Sequence, residues 1–102
     1  MVNTETLKNL KNDDGLTLKD YRPIHYKTGY QVATEGIETT NANEAFEAIR
    51  NYQGNCGVWY SGGVYYIDKS RRINTKAEAL KVGREHKQIS ILKWSDMSLI
   101  YC

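Results

Sequence analysis

The feature that most constrains the fold is a glycine turn between two runs of strand-forming residues. Val58-Trp59-Tyr60 precedes Ser61-Gly62-Gly63, and Val64-Tyr65-Tyr66-Ile67 follows. Aromatic and β-branched residues favour strands, and glycine adopts the positive φ angles that tight hairpin turns require. The pattern predicts an antiparallel hairpin and excludes an all-helical chain.

A two-residue loop sorts the hairpin side chains between two faces, because alternate residues of a strand point to opposite sides. One face carries the two aliphatic residues at the open end of the hairpin, Val58 and Ile67, and we expect this face to pack against the helices. A three-residue loop would change this pairing. The predicted packed face holds Val58, Tyr60, Tyr65 and Ile67, and the other face holds Trp59, Val64 and Tyr66.

Two helices are predicted on either side of the hairpin. Asn41 is a predicted N-cap with Glu44 three residues on, and Thr75 and Glu78 form the same capping-box pattern. Apolar residues then recur at helical spacing. The predicted stripes are Ala45, Ala48, Ile49 and Tyr52 in the first helix, and Ala79, Val82, Gly83 and His86 in the second.

Three further strands complete the predicted order, at Gly29–Thr34, Gln88–Trp94 and Leu99–Tyr101. The sequence predicts an α+β fold in two layers, with a mostly antiparallel sheet and two helices in the order β-α-β-β-α-β-β. This order is ferredoxin-like, or an αββ-αββ pseudo-repeat. A plain meander with both helices on one face is the alternative.

The start of the chain is predicted to be distinct from this domain. Residues 1–28 form an N-terminal arm with a short helix from Thr4 to Lys11, for which Thr4 is the N-cap, and residues 29–102 form a single α+β domain. Residues 16–28 are expected to be irregular or strand-like, and Pro23 argues against a central strand there.

The last hairpin suggests an aromatic surface on the open side of the sheet. Alternation places Ile89, Ile91 and Ile100 on one face, and Leu92, Trp94, Leu99 and Tyr101 on the other. Two interpretations stay open: residues 1–28 cover this surface, or it binds a partner. The predicted aromatic surface consists of Trp59, Tyr66, Trp94 and Tyr101.

Charge is unevenly distributed along the chain. Residues 1–51 contain 6 basic and 8 acidic side chains, whereas residues 52–102 contain 8 and 4, and the formal net charge is +2. This balance excludes a dense acidic DNA mimic and a dedicated DNA-binding domain. Five basic residues around the second helix are candidate phosphate contacts, or simply a solvated face: Arg71, Arg72, Lys76, Arg84 and Lys87.

Residues that carry catalysis or bind metals are sparse. The cysteines and histidines lack zinc-ligand spacing, and the glycines match no phosphate-binding loop. The sequence predicts no enzyme, no cofactor and no metal. A small enzyme would have to use Cys56, His86 and Asp68 together.

No apolar stretch approaches the roughly 18 residues of a membrane span. The residues Met1–Glu5 also lack the pattern of a signal peptide. We therefore expect a cytoplasmic protein with no membrane partner, in which Cys56 and Cys102 stay reduced.

Six stretches within residues 29–102 carry a resemblance to known proteins: 29–34, 57–60, 64–68, 75–80, 83–86 and 88–91. Through them, residues 29–102 resemble small proteins carried by plasmids, integrative elements and phages of Gram-positive bacteria, some of which are similar to type II-A anti-CRISPR proteins. The resemblance implies a non-enzymatic inhibitor that binds a Cas9-type effector protein, its guide RNA or both, and blocks assembly or activity in the bacterial host cell. The alternative is a single-stranded nucleic-acid-binding accessory domain that uses aromatic and basic residues.

Overall fold

The computed structural model describes residues 1–52 and 54–102, which form three helices and seven strands. The fold is α+β with one antiparallel sheet, as the sequence predicted. The helices are α1 (Thr4–Lys8), α2 (Ala42–Asn51) and α3 (Lys76–Glu85). The strands are β1 (Asp14–Lys19), β2 (Arg22–Pro23), β3 (Tyr30–Thr39), β4 (Asn55–Ser61), β5 (Val64–Ile73), β6 (Ser90–Lys93) and β7 (Ser98–Tyr101).

Strand order decides between the predicted topologies. The order across the sheet is β2-β1-β4-β5-β3-β6-β7, so the central four strands are β4-β5-β3-β6. Each of α2 and α3 connects two strands that have a third strand between them, which is ferredoxin-like connectivity. The meander alternative is wrong, because it would place β3 beside β4.

The central hairpin has the predicted register. Trp59 pairs with Tyr66, and Val58 pairs with Ile67. Gly62 and Gly63 both have positive φ angles, 59° and 80°, which a two-residue primed turn requires. Val58 and Ile67 are buried, whereas Trp59 is exposed, so the predicted sorting of the two faces is confirmed.

Side-chain caps fix the two longer helices. The Asn41 side chain accepts hydrogen bonds from the backbone of Asn43 and Glu44, and the Thr75 hydroxyl accepts one from Glu78 N–H. The Glu44 carboxylate accepts from the Thr39 hydroxyl at 2.6 Å instead of closing the predicted box on Asn41. Both predicted N-caps are confirmed.

The first helix differs from its prediction at both ends. Its N-cap is Asn3 rather than Thr4, because the Asn3 side chain accepts from Thr6 N–H while the Thr6 hydroxyl accepts from Asn3 N–H. The helix ends at Lys8, short of Lys11. The buried Tyr65 hydroxyl donates to the Leu7 carbonyl at 3.0 Å, which fastens this helix to the sheet.

The core lies between the helices and one face of the sheet. One cluster joins α1 and α2 to β1, β4 and β5, and a second joins α3 to β3, β5 and β6. The helical stripes are confirmed except at His86, which is the exposed C-cap of α3. The clusters include Leu7, Leu18, Ala45, Ile49, Val58 and Ile67 in the first, and Val32, Ile73, Ala79, Val82 and Ile91 in the second.

Residues 14–23 add two strands to the sheet beyond those predicted. All six residues of β1 pair with β4, and Pro23 lies in β2 at the outer edge, where its missing N–H removes no ladder bond. The boundary between arm and domain at residue 28 stays a prediction. None of the helices in the described ranges is long and apolar enough to cross a bilayer.

Candidate binding groove on the open sheet face

Two rows of residues cross the open face, which we define as the sheet face opposite the helices. In the first row Trp59 pairs with Tyr66, and their rings stack with centroids 4.9 Å apart. Gly15 continues this row on the β1 side and Glu38 on the β3 side. Because glycine has no side chain, the stack has no neighbour on its β1 side, and Trp59 is 46% exposed.

The second row surrounds a carboxyl group with small residues. Asp68 of β5 lies between Gly57 and Gly36, and Thr17 of β1 follows Gly57. Asp68 is half-buried, and burial raises the pKa of its carboxyl above the ordinary value. Across residues 1–52 and 54–102, the Asp68 side chain has no ion pair and no hydrogen bond.

These rows form part of a groove of about 760 Å³. The segment after β2 and the β6–β7 hairpin supply the rest of its lining, much of which is apolar. The lining includes Gly15, Thr17, Gly57, Trp59 and Asp68 from β1, β4 and β5, Pro23 at the end of β2 with Ile24 and His25 of the segment that follows it, and Leu92, Met97 and Leu99 from the hairpin.

Gly36 is a position where the site tolerates no side chain. A Cβ there would collide with Asp68 Oδ1 and lie 2.8 Å from the Ile67 carbonyl oxygen, which the sheet holds in place. We expect Gly36→Ala to lower the free energy of unfolding by about 1–3 kcal/mol, the usual cost of overpacking. Urea denaturation measures this loss.

Gly57→Ala is the matched control for Gly36→Ala. A Cβ at Gly57 would lie 3.9 Å from Asp68 Cβ, an ordinary contact, so this variant should keep nearly all of the wild-type stability. Equal losses in the two variants would contradict the close approach at Gly36.

Trp94 lies in the turn after β6 and is buried, so of the two interpretations left open for the aromatic surface, cover by residues 1–28 holds at this position and Trp94 is not an exposed binding residue. His25 and Tyr26 pack edge-on against it, with ring centroids 5.0 and 5.5 Å away, and its exposure is 2%. Its indole N–H donates to Gln31 Oε1 at 3.1 Å, and Gln31 Nε2 donates to Ser70 Oγ at 2.9 Å. The arm therefore covers the open face at the Trp94 end and leaves it open at the Trp59 end.

Arg72 holds that covering segment in place. Its guanidinium donates to the Thr28 carbonyl, the Thr28 hydroxyl and Asn74 Oδ1, at 3.1, 3.1 and 2.6 Å. The same group lies 5.2 Å from the ring centroid of Tyr26. A side chain with these contacts stabilises the fold, and its use as a phosphate contact would require breaking them.

The other predicted basic residues are exposed but lie away from the groove. Arg71 pairs with Val32, whose side chain packs under α3, so Arg71 is on the helix side of the sheet. Lys76, Arg84 and Lys87 lie on or directly after α3, on that same side. The structure therefore does not join them to Trp59 and Tyr66.

Tyr101 is exposed on the edge strand β7. It pairs with Ser90 and shares a face with Leu99, so the predicted alternation is confirmed within β6 and β7, whereas Ile89 and Trp94 lie outside these strands. The strand prediction itself was too long, since β6 spans only Ser90–Lys93. Tyr101 is 73% exposed and lies outside the groove lining.

The three residues considered for catalysis are on separate parts of the fold. Cys56 faces the helix-side core, and burial raises the pKa of its thiol to about 11, whereas a nucleophilic cysteine needs a lowered pKa. Asp68 lies on the open face and His86 at the end of α3. In the described part of the chain, no three His, Cys, Asp or Glu residues are grouped to hold a metal ion.

The sequence did not point to four of the groove residues: Gly15, Gly57, His25 and Met97. Gly15 and Gly57 each lie inside a strand, where glycine marks a place at which another group approaches the backbone. That signal was available, but it does not show which strands lie side by side. Met97 and His25 had no such signal, because they reach the groove from loops.

Comparisons of the chain with models of known protein families, with curated proteins and with solved structures give no match. The groove and its exposed aromatic stack are therefore the basis for a function.

Proposed function

We propose that this protein is a non-enzymatic anti-CRISPR inhibitor, which binds a Cas9-type nuclease in the cytoplasm of a bacterial host and blocks its assembly with guide RNA or its activity. The resemblance of residues 29–102 to mobile-element proteins supplies the partner class. The site is the groove on the open face.

The observation that carries the proposal is the exposed stack of Trp59 and Tyr66. Tryptophan and tyrosine dominate the binding energy of many protein interfaces, since they bury large areas with few rotatable bonds. Here the pair borders a groove with further exposed apolar residues, Met97 and Leu99. Contiguous apolar surface of this kind marks interaction sites on small proteins.

A Cas9 cleavage assay tests the proposal. Wild-type protein in excess should reduce cleavage by at least one of several type II-A enzymes. Addition before and after guide RNA separates a block of assembly from a block of activity. Unchanged cleavage by every enzyme, in both orders of addition, refutes the proposed function.

Two alanine variants connect the inhibition to the groove. Trp59→Ala should abolish most of the inhibition, whereas Tyr101→Ala removes an exposed ring of the same face outside the groove and should leave inhibition intact. Equal inhibition by both variants would show that the binding site is not the groove.

A second candidate, single-stranded nucleic-acid binding, is favoured by one observation. Bases stack on exposed aromatic rings, and the Trp59–Tyr66 pair offers such a surface. The exposed cations of α3, however, lie on the other side of the sheet from it. Retardation of a single-stranded RNA at low salt, lost in Trp59→Ala, would support this candidate, and unchanged mobility would refute it.

A further inference from the structure

The groove combines an aromatic stack with negative charge. Asp68 lines it beside Trp59, and Glu38 and Asp68 line a second depression on the other side of Tyr66. Among the residues that the structure describes, neither depression has a lysine or an arginine in its lining. This charge disfavours a phosphate and favours a cation.

The Asp68 carboxyl lacks the partner that a half-buried charge normally has. Burial of a charged group is costly unless a counter-ion or hydrogen-bond donor compensates it. Burial raises the pKa of the Asp68 carboxyl, and among the described residues neither a salt bridge nor a side-chain hydrogen bond reaches it. A ligand that brings a positive charge would supply the missing partner.

Arginine fits this environment better than lysine. Its guanidinium is planar, stacks on aromatic rings and pairs with a carboxylate through two parallel hydrogen bonds. Gly15 and Gly57, beside Trp59 and Asp68, leave space for such a side chain above the sheet.

We propose that the groove binds an arginine side chain of a partner protein, stacked on the Trp59–Tyr66 pair and paired with Asp68. This inference deepens the proposed function and rests on it only for the identity of the partner, which would be the nuclease itself rather than its guide RNA.

Nuclear magnetic resonance of the full chain with a blocked hexa-arginine peptide tests the inference. The protein has two tryptophans, so its spectrum contains two indole N–H signals. The peptide should shift the Trp59 signal in a saturable manner and leave that of buried Trp94 unchanged. A hexalysine peptide should bind more weakly, and a single-stranded oligouridine should not shift the Trp59 signal.

Asp68→Asn is the decisive variant. It keeps the shape of the side chain and removes its charge, and it should fold because burial already disfavours the ionised form. We expect it to weaken hexa-arginine binding by about tenfold or more, since hydrogen bonds to charged groups contribute strongly. Asp20→Asn makes the same chemical change in an exposed turn and should bind like the wild type.

Three results would overturn the inference: no shift of the Trp59 signal, equal affinity in Asp68→Asn and Asp20→Asn, or a larger response to oligouridine than to hexa-arginine. Its failure is distinguishable from that of the proposed function. Inhibition of Cas9 without Asp68-dependent peptide binding refutes only the arginine site, and peptide binding without inhibition refutes only the nuclease as partner.

Discussion

Replacement of Trp94 by alanine should destabilise the protein by about 3–5 kcal/mol, the range observed for large aromatic side chains in cores. Trp94 is 2% exposed, packs against His25 and Tyr26, and donates a hydrogen bond to Gln31. The substitution removes this packing and leaves the side-chain amide oxygen of Gln31, Oε1, without its hydrogen-bond donor. Denaturation in guanidinium chloride, followed by far-ultraviolet circular dichroism, measures the loss.

The same substitution at Trp59 is the control. That ring is 46% exposed and its main contact is Tyr66, so Trp59→Ala should cost about 1 kcal/mol or less, as for substitutions outside the core. Comparable losses for the two variants would contradict the different burial of the two rings. A small loss for Trp94→Ala would mean that residues 24–28 do not cover that end of the sheet in solution.

The contrast between these tryptophans shows where prediction from sequence ends. Strand alternation places a residue on a face of the sheet, and it placed Trp59 and Leu99 correctly. It cannot show what covers that face. The cover over Trp94 comes from His25 and Tyr26, more than sixty residues earlier, and it is held by contacts of Arg72.

Local signals predicted much of the fold because the interactions behind them are local. The Gly62-Gly63 turn fixed the hairpin register, and Asn41 and Thr75 cap their helices through neighbouring backbone N–H groups. The sequence left residues 16–28 open as irregular or strand-like and did not settle β1, because its stabilising partner, β4, lies about forty residues on. Its first residues, Asp14 and Gly15, also resemble a turn.

The candidate site was less predictable than the fold for the same reason. The sequence shows that Arg72 is charged. It does not show that the guanidinium is already hydrogen-bonded to Thr28, which lies forty-four residues away. The predicted strand run ended at Ile67, whereas β5 continues through Asp68 to Ile73. Its position in the groove follows from the strand order, which places Asp68 between Gly36 of β3 and Gly57 of β4.

Ile67→Ala should be the other strongly destabilising substitution. Ile67 is fully buried on β5, between the paired residues Val58 and Ile37, and belongs to the core cluster under α2. Deletion of a buried isoleucine side chain to alanine costs about 2–5 kcal/mol, because the cavity closes only partly. Since domains of this size are stable by about 5–15 kcal/mol, a large fraction of the total would be lost.

Ile89→Ala provides the matched control, because the residue is 80% exposed before β6 and should change stability by about 0.5 kcal/mol or less. Parallel urea titrations of both variants and the wild type give the comparison. If Ile67→Ala unfolded at the wild-type urea concentration, the hairpin would have slipped by one residue, since such a slip moves Ile67 to the open face. The Trp59–Tyr66 stack would then lie in the core, and the groove proposed as the binding site would not exist.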